Sequence, residues 1–387
     1  MPVKSRHMPV NQLTSPPGHH FFGYYDKFPW DETGRYVLSL KTEFIDRPPS
    51  AEDRAIIGLI DTERDNEWIP VTHTHAWNWQ QGAMLQWLPG GNGREVVYNA
   101  RRDDEFVGVI HDTASGERKI LPRPIYALSR DGKWAVSVNF SRIHVCRPGY
   151  GYAGVPDPWA EEAAPAEDGI YLMNMETGEH RFVISIEQMA SRDPRPGMDN
   201  AKHYFNHLQF NSDGSRFLFL HRWRKEEGRE TRLYTASPGG SDIYCVADEG
   251  MVSHFDWRDD KHILAWARQK EHGDAFYLFH DQTTEKEVIG RETLTCDGHC
   301  SYSPDRAWIL TDSYPDKERM RALMLYDPDR DLRVDIGRFY APPELDGEIR
   351  CDLHPRWNRD GTKICFDSVH EDHRQLYVTD VSQVIRE

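Results

Sequence analysis

Short apolar runs alternate with turn residues along the chain, and one phrase of this alternation returns seven times. It has an aromatic or aliphatic residue, two small or polar residues, Asp-Gly or a near variant, two further residues and a β-rich run. The copies read WDETGRYVLSL from Trp30, WLPGGNGREVVY from Trp87, LSRDGKWAVSV from Leu128, FNSDGSRFLFL from Phe210, WRDDKHILAWA from Trp257, YSPDRAWILTD from Tyr302 and WNRDGTKICFD from Trp357. Each predicts two antiparallel strands joined by a tight turn, because Asp and Gly accept the positive φ that the turn needs. A third strand-like run follows every hairpin, from AIIGLIDTERD in the first copy to QLYVTDVSQ in the last.

Anchored at Gly34, Gly93, Gly132, Gly214, Lys261, Arg306 and Gly361, the copies recur at the spacing of propeller blades. The expectation is an all-β fold, a single seven-bladed β-propeller over residues 1–387 with little helix. The seventh copy ends on its third strand, so its outermost strand is missing unless residues before Pro16 supply it; closing the ring in that way removes free sheet edges. The longest interval contains RPGYGYAGVPDPWAEEAAPAED and SRDPRPGMDNAK. Their Pro, Gly and charge mark loop insertions, about 141–167 and 189–202, rather than a second domain.

Composition narrows the function. With 38% hydrophobic and 12% aromatic residues the chain can bury a core, which rules out a disordered protein. No apolar run approaches the roughly 18 residues of a membrane span. A formal net charge of −16 without a basic stripe argues against nucleic acid, while an anionic small substrate stays compatible if basic side chains gather in one cleft. Six scattered cysteines make no disulfide framework. The first residues lack the apolar stretch of a secretory signal, so a cytoplasmic location is expected. Oligomeric state is not set by the sequence.

In a propeller the innermost strands line a central channel, and residues at one register form a ring. Three positions before the phrase aromatic stand His207, His254, His299 and His354 in four consecutive blades, against Lys27, Met84 and Ile125 in the first three. Such histidines either cap hydrogen bonds between blades or form a site, and convergent titratable groups at a channel favour the site. Around them stand His20, Tyr24, Tyr25, Asp26 and Lys27 in GHHFFGYYDKFPW, and Arg222 and Arg232 in and after HRWRKEEGRETR. Guanidinium groups suit carboxylates, and aromatic faces suit sugar rings. Cys296 precedes His299 by three residues, as Cys351 precedes His354, a matched spacing that suits Zn²⁺ or another transition metal only if the strand bends there. Asp26, Asp297 and Asp352 flank the ring and leave paired-carboxylate glycoside hydrolysis open. Walker, dinucleotide and nucleophile-elbow motifs are missing, and no organic cofactor is expected.

On these residues the chain resembles the oligogalacturonate lyase family, seven-bladed propellers with TolB-like repeats that cleave short uronic-acid oligosaccharides by β-elimination. The likeness covers most of the chain thinly and the last three blades best. In SHFDW, His254 matches the family's proton-abstracting histidine, and His299 matches a manganese ligand. The family's Gln-x-x-His-Pro-His run reads Cys351, Asp352, Leu353, His354, Pro355, Arg356 here, retaining only His354. The manganese site is therefore either altered, taken by another metal such as Zn²⁺ or Ca²⁺, or replaced by a guanidinium. Arg232 in TRLY is similar to the family's substrate arginine, and His20 to Lys27 resemble its early His-Arg-Asn-Tyr string. The resemblance implies an acidic oligosaccharide as partner, His254 as base, and Arg232, Arg356 or a metal on His299, His354 and Cys351 beside the uronate carboxylate. His207, Tyr25 or Lys27 would protonate the departing oxygen, and His20, Lys27, Arg222 and Arg356 would contact substrate. Two alternatives accompany this reading: a glycoside hydrolase acting on an acidic glycan, and a non-catalytic propeller that binds a glycan or protein.

Overall fold

The computed structural model describes residues 3–91, 93–225 and 228–387. Asn92 in the second phrase and Glu226 and Glu227 in HRWRKEEGRETR lie outside the described residues. The strands form seven antiparallel sheets, one per phrase, arranged as the blades of a propeller. Blade 1 is built from His19–Phe21, Tyr36–Thr42, Ala55–Asp61 and Glu67–Thr74, and the other blades repeat its meander around the ring. No helix among the described residues is long and apolar enough to cross a membrane.

The phrase has a physical reason. Its glycines take the left-handed turn conformation; at Gly132, φ is 70° and an added Cβ would meet the Pro89 carbonyl oxygen at 2.3 Å. Arg306 adopts φ 68° in the sixth copy without glycine. Its tryptophans are buried between blades, and three of them hook the preceding blade. Trp87 donates its indole N–H to Pro29 O at 2.9 Å, Trp257 to Gln209 O at 3.3 Å and Trp357 to Ser301 O at 3.5 Å. The core is accordingly a series of layers between neighbouring blades, such as Trp308, Leu310, Leu353, Trp357 and Phe366 between blades 6 and 7.

Residues before Pro16 do complete the last blade. Val10–Gln12 pairs antiparallel with Gln375–Asp380, and Val3–Ser5 adds a parallel fifth strand to blade 6 on Leu332–Tyr340. Both predicted insertions lie in the stretch that contains blade 3, with the short helices Phe140–Cys146 and Ile186–Ala190 beside them. Asn139 caps the first helix by accepting from the Ser141 and Arg142 amides. Arg142 then pins the insertion to blade 4, donating to the carbonyls of His203, Trp159, Glu162 and Ala163.

Blade 1 departs from the repeat. Its inner strand breaks after Phe21, and residues 22–29 loop into the channel before pairing resumes at Trp30 and Val37. The loop spans the ring: the Tyr25 hydroxyl donates to Phe255 O at 2.9 Å and accepts from Phe255 N at 3.0 Å, in blade 5.

Candidate functional site

The ring positions are where inner strands lose regular pairing. Register slips between Asn206 and Gln209 in blade 4 and between Val252 and Phe255 in blade 5, leaving His207 and His254 in bulges. His207 and His354 take positive φ, 52° and 41°. Bulges of this kind re-aim a side chain out of the sheet's alternation. Here they gather four imidazoles: ring centres are 4.0 Å apart for His254 and His299, and 4.3 Å for His299 and His354. Tyr24, on the channel loop, stacks on His207 at 5.1 Å and meets His354 edge-on at 5.1 Å.

Carboxylates orient two of the rings. Asp297 holds His254 Nδ1 at 2.9 Å, and Asp312 holds His299 Nδ1 at 2.9 and 3.0 Å while also accepting its backbone N–H. In the neutral rings these contacts assign the proton to Nδ1 and leave each Nε2 as a lone pair. His299 Nε2 and both ring nitrogens of His354 are buried without a hydrogen-bond partner. A buried polar atom left in that state costs about 1–3 kcal/mol. Beside them Asp352 is ion-paired with Arg321 and Arg350, each at 2.7 Å.

Ligand atoms of His299, Asp352 and His354 lie within 4.8 Å of one another, and the orphaned nitrogens fit a divalent cation. Two imidazoles and a carboxylate suit a transition ion such as Mn²⁺ or Zn²⁺ better than Ca²⁺, whose sites are built from oxygen.

Burial, then Arg222, pushes His207 well below the ordinary imidazole value; burial, then His299, does the same to His354. Burial also lowers His254, although Asp297 opposes it. At His299 burial is outweighed by Asp312, and the imidazole is raised. Burial would raise Asp352, but Arg350 and Arg321 hold it far below the usual carboxylate range.

Other expected residues fall elsewhere. Cys351 points away from the ring: its thiol is buried, pushed up to about 11, and lies 3.9 Å from Asp352 O. Residues 351–355 lie outside the regular strand, and with His354 at φ 41° it is the ligand atoms of Asp352 and His354, not the thiol of Cys351, that converge with His299. Tyr25 packs against His254 and His299, but its hydroxyl is committed in both directions to Phe255. Lys27 is paired with Asp26 at 2.9 Å and lines the opposite mouth of the channel. Arg356 donates to Gly23 O, Tyr24 O and Asp367, so it positions the channel loop. Arg232 gives its guanidinium to the Arg192 and Asp193 carbonyls. His20 packs edge-on to Trp68 in blade 1, its pKa lowered to about 3 by burial and Lys41.

Arg222 does approach the ring. It donates to Thr231 Oγ1 and Val252 O, pairs with no carboxylate among the described residues, and adds positive potential at His207. Arg147 joins it there, over the Tyr150 ring at 4.5 Å and likewise without a carboxylate partner among the described residues. Arg147, Tyr150, Arg321 and Arg350 escaped sequence reasoning. The first two sit in the aperiodic RPGYGY insertion, where only the density of Arg, Tyr and Gly hints at a site.

No protein-family model matches the sequence, and no curated protein sequence matches it. Among solved structures, oligogalacturonate lyase from Vibrio parahaemolyticus is similar over 97% of this chain and 94% of its own, at 12% identity and a TM-score of 0.67. An oligogalacturonate lyase in complex with manganese matches 98% of this chain and 95% of its own, at 15% identity and TM-score 0.70. The β-propeller domain of the Trilobed protease from Pyrococcus furiosus matches 90% of each chain, at 11% identity and TM-score 0.53. At such identities the likeness is one of fold, and the fold is an all-β, seven-bladed propeller.

Proposed function

We propose that the protein cleaves an acidic, uronate-containing oligosaccharide by β-elimination. The observation that carries this reading is the juxtaposition of His254, a neutral imidazole held at Nδ1 by Asp297, with the unpartnered nitrogens of His299 and His354 one ring away. His254 Nε2 takes the proton from C5 of the uronate, and Asp297 stabilises the imidazolium that results. A divalent ion on His299, His354 and Asp352, when bound, supplies Lewis-acid stabilisation to the carboxylate next to C5. Arg147 and Arg222, free of carboxylate partners among the described residues, receive the oligosaccharide's negative charge. Electrons from the C5–H bond form the C4–C5 double bond as the C4–O bond breaks.

The fold-level likeness to oligogalacturonate lyases, one of them a manganese complex, supports the reading. The three carboxylates that the sequence offered for it tell against the hydrolase alternative, which requires one protonated acid. Asp26 is paired with Lys27, Asp297 with His254, and Asp352 with two arginines. The test is to incubate the protein with a panel of uronate oligosaccharides, with and without chelator, and follow the ultraviolet absorbance of the unsaturated product. A rise that chelation abolishes is expected; saturated reducing ends alone would turn the assignment to hydrolysis, and binding without turnover would turn it to a recognition module.

A further inference from the structure

Five tyrosines border the histidines, and two of them have their hydroxyl protons already committed. Tyr25 exchanges both hydrogen bonds with Phe255, and Tyr126 does so with Gln81 while accepting the His207 amide. Tyr24, packed among imidazoles, and Tyr314, 6.3 Å from His254 and 6.1 Å from His299, keep their protons but release them least readily, because burial drives both phenols well above the ordinary value. Tyr150 differs. Its hydroxyl accepts from Arg350 Nη2 at 2.8 Å, and no acceptor among the described residues takes its own proton.

The surroundings of Tyr150 are arranged for a phenolate. Burial pushes the phenol up, but Arg350 and Arg147 outweigh it and leave Tyr150 at about 8. Arg350 is itself fixed, donating to Asp352 at 2.7 Å and to Gly347 O at 2.9 Å. Other groups facing the ring are His207, edge-on at 5.6 Å, and Tyr24 at 6.5 Å, with Asp352 and His299 within electrostatic reach. Arg229 and Tyr314 feel its charge as well. The backbone on both sides is clamped: Gly149 has φ 87°, and a Cβ on Gly151 would strike His144 N at 2.1 Å.

Resting on the elimination reading above, we propose that Tyr150 is the general acid, giving its O–H proton to the glycosidic oxygen that departs from C4. The leaving sugar gains a hydroxyl as the C4–O bond breaks. Arg350 and Arg147 hold the phenolate; it regains a proton from water, and His254 releases to water the proton taken from C5.

The test compares Tyr150→Phe with the wild-type protein on two substrates, a natural uronate oligosaccharide and a uronide carrying 4-nitrophenol at O4. On the oligosaccharide, kcat/KM should fall about 100-fold or more, the scale of a lost general acid. On the nitrophenyl compound, whose leaving group departs without protonation, it should be nearly unchanged. Equal losses on both, or no loss on either, would overturn the assignment. Independently of any variant, wild-type kcat/KM on the oligosaccharide should decline above about pH 8; a flat profile through that range counts against it too. Absence of unsaturated product from the wild-type protein on every substrate overturns the elimination reading itself. Failure of the Tyr150 assignment alone leaves wild-type turnover intact.

Discussion

At the mouth of the channel nearest the Asp-Gly turns, a cavity of about 550 Å³ is walled by Trp87, Phe210, Trp257 and Tyr302, and none of the four ring histidines lines it. Its polar groups largely satisfy one another. Asp26 pairs with Lys27, and Asp256 accepts from both Gln209 Nε2 and Tyr302 N, leaving over one Gln209 oxygen and one Arg306 nitrogen. Beyond the channel loop the opposite holds: His299 and His354 are wholly buried and carry three nitrogens without partners. The same seven inner strands thus produce open space at one end and unspent bonding capacity at the other. The proposed chemistry lies with the second, where three unpartnered nitrogens on two neighbouring rings are left for a ligand or reacting atom to complete.

That contrast can be broken in several places. The largest effect is expected at His254: His254→Gln should lower kcat/KM for uronate oligosaccharides about 10³-fold with an unchanged unfolding midpoint, and full turnover would remove it as base. Because burial lowers this imidazole, its reactive neutral form dominates at pH 7 and is lost only as pH falls below the ordinary value of about 6.5. An acid limb of kcat/KM above that value would contradict the assignment. Next comes Asp352→Asn, which strands Arg321 and Arg350 in a buried site and should cost about 3 kcal/mol in urea unfolding. Mn²⁺ or Zn²⁺ at a hundred times its Kd should raise the wild-type stability by about 2.7 kcal/mol, a gain that His354→Ala abolishes. The smallest effect is expected at the opposite mouth. Burial raises Asp256 to about 6, so between its unfolded value near 4 and pH 6 the folded protein holds a proton the unfolded chain has lost. That carboxyl therefore works against stability as pH rises through this window. Asp256→Asn, whose new amide N–H meets the spare Gln209 oxygen once the Gln209 amide turns over, should leave turnover unchanged and keep or raise the midpoint at pH 7.

The blades were legible in the sequence because the phrases encode their own contacts: turn residues that accept positive φ, alternating apolar residues and, in three copies, a tryptophan that reaches one blade back. The four histidines were legible because they share a register. Departures from periodicity hid the rest. The excursion of residues 22–29 into the channel leaves no trace in the repeat, so Lys27 counted as a ring member although it faces the other mouth. Cys351 drew attention by its chemistry, whereas Asp352 joins His354 where the chain leaves regular strand geometry, which no period-two pattern encodes. Arg356 and Arg232 are surrounded by backbone carbonyls from distant segments, contacts no local pattern encodes. Tyr150 and Arg147 belong to an insertion whose path is set by Arg142 rather than by any repeat of its own.

The pairing of residues 10–12 with residues 377–379 carries a consequence for the timing of synthesis. Tyr24 is placed by Arg356, and Arg374 and Gln375 accept or donate hydrogen bonds to His20 and Gly18, so both sides of the site meet at this clasp. A ribosome releases the first residues of the clasp long before the last, and until the final strand emerges the early one has nothing to grip. The chamber is thus closed only after nearly the whole chain has been made, and a chain cut short within its last strand carries most of the fold and the site residues named above in a ring left unclasped.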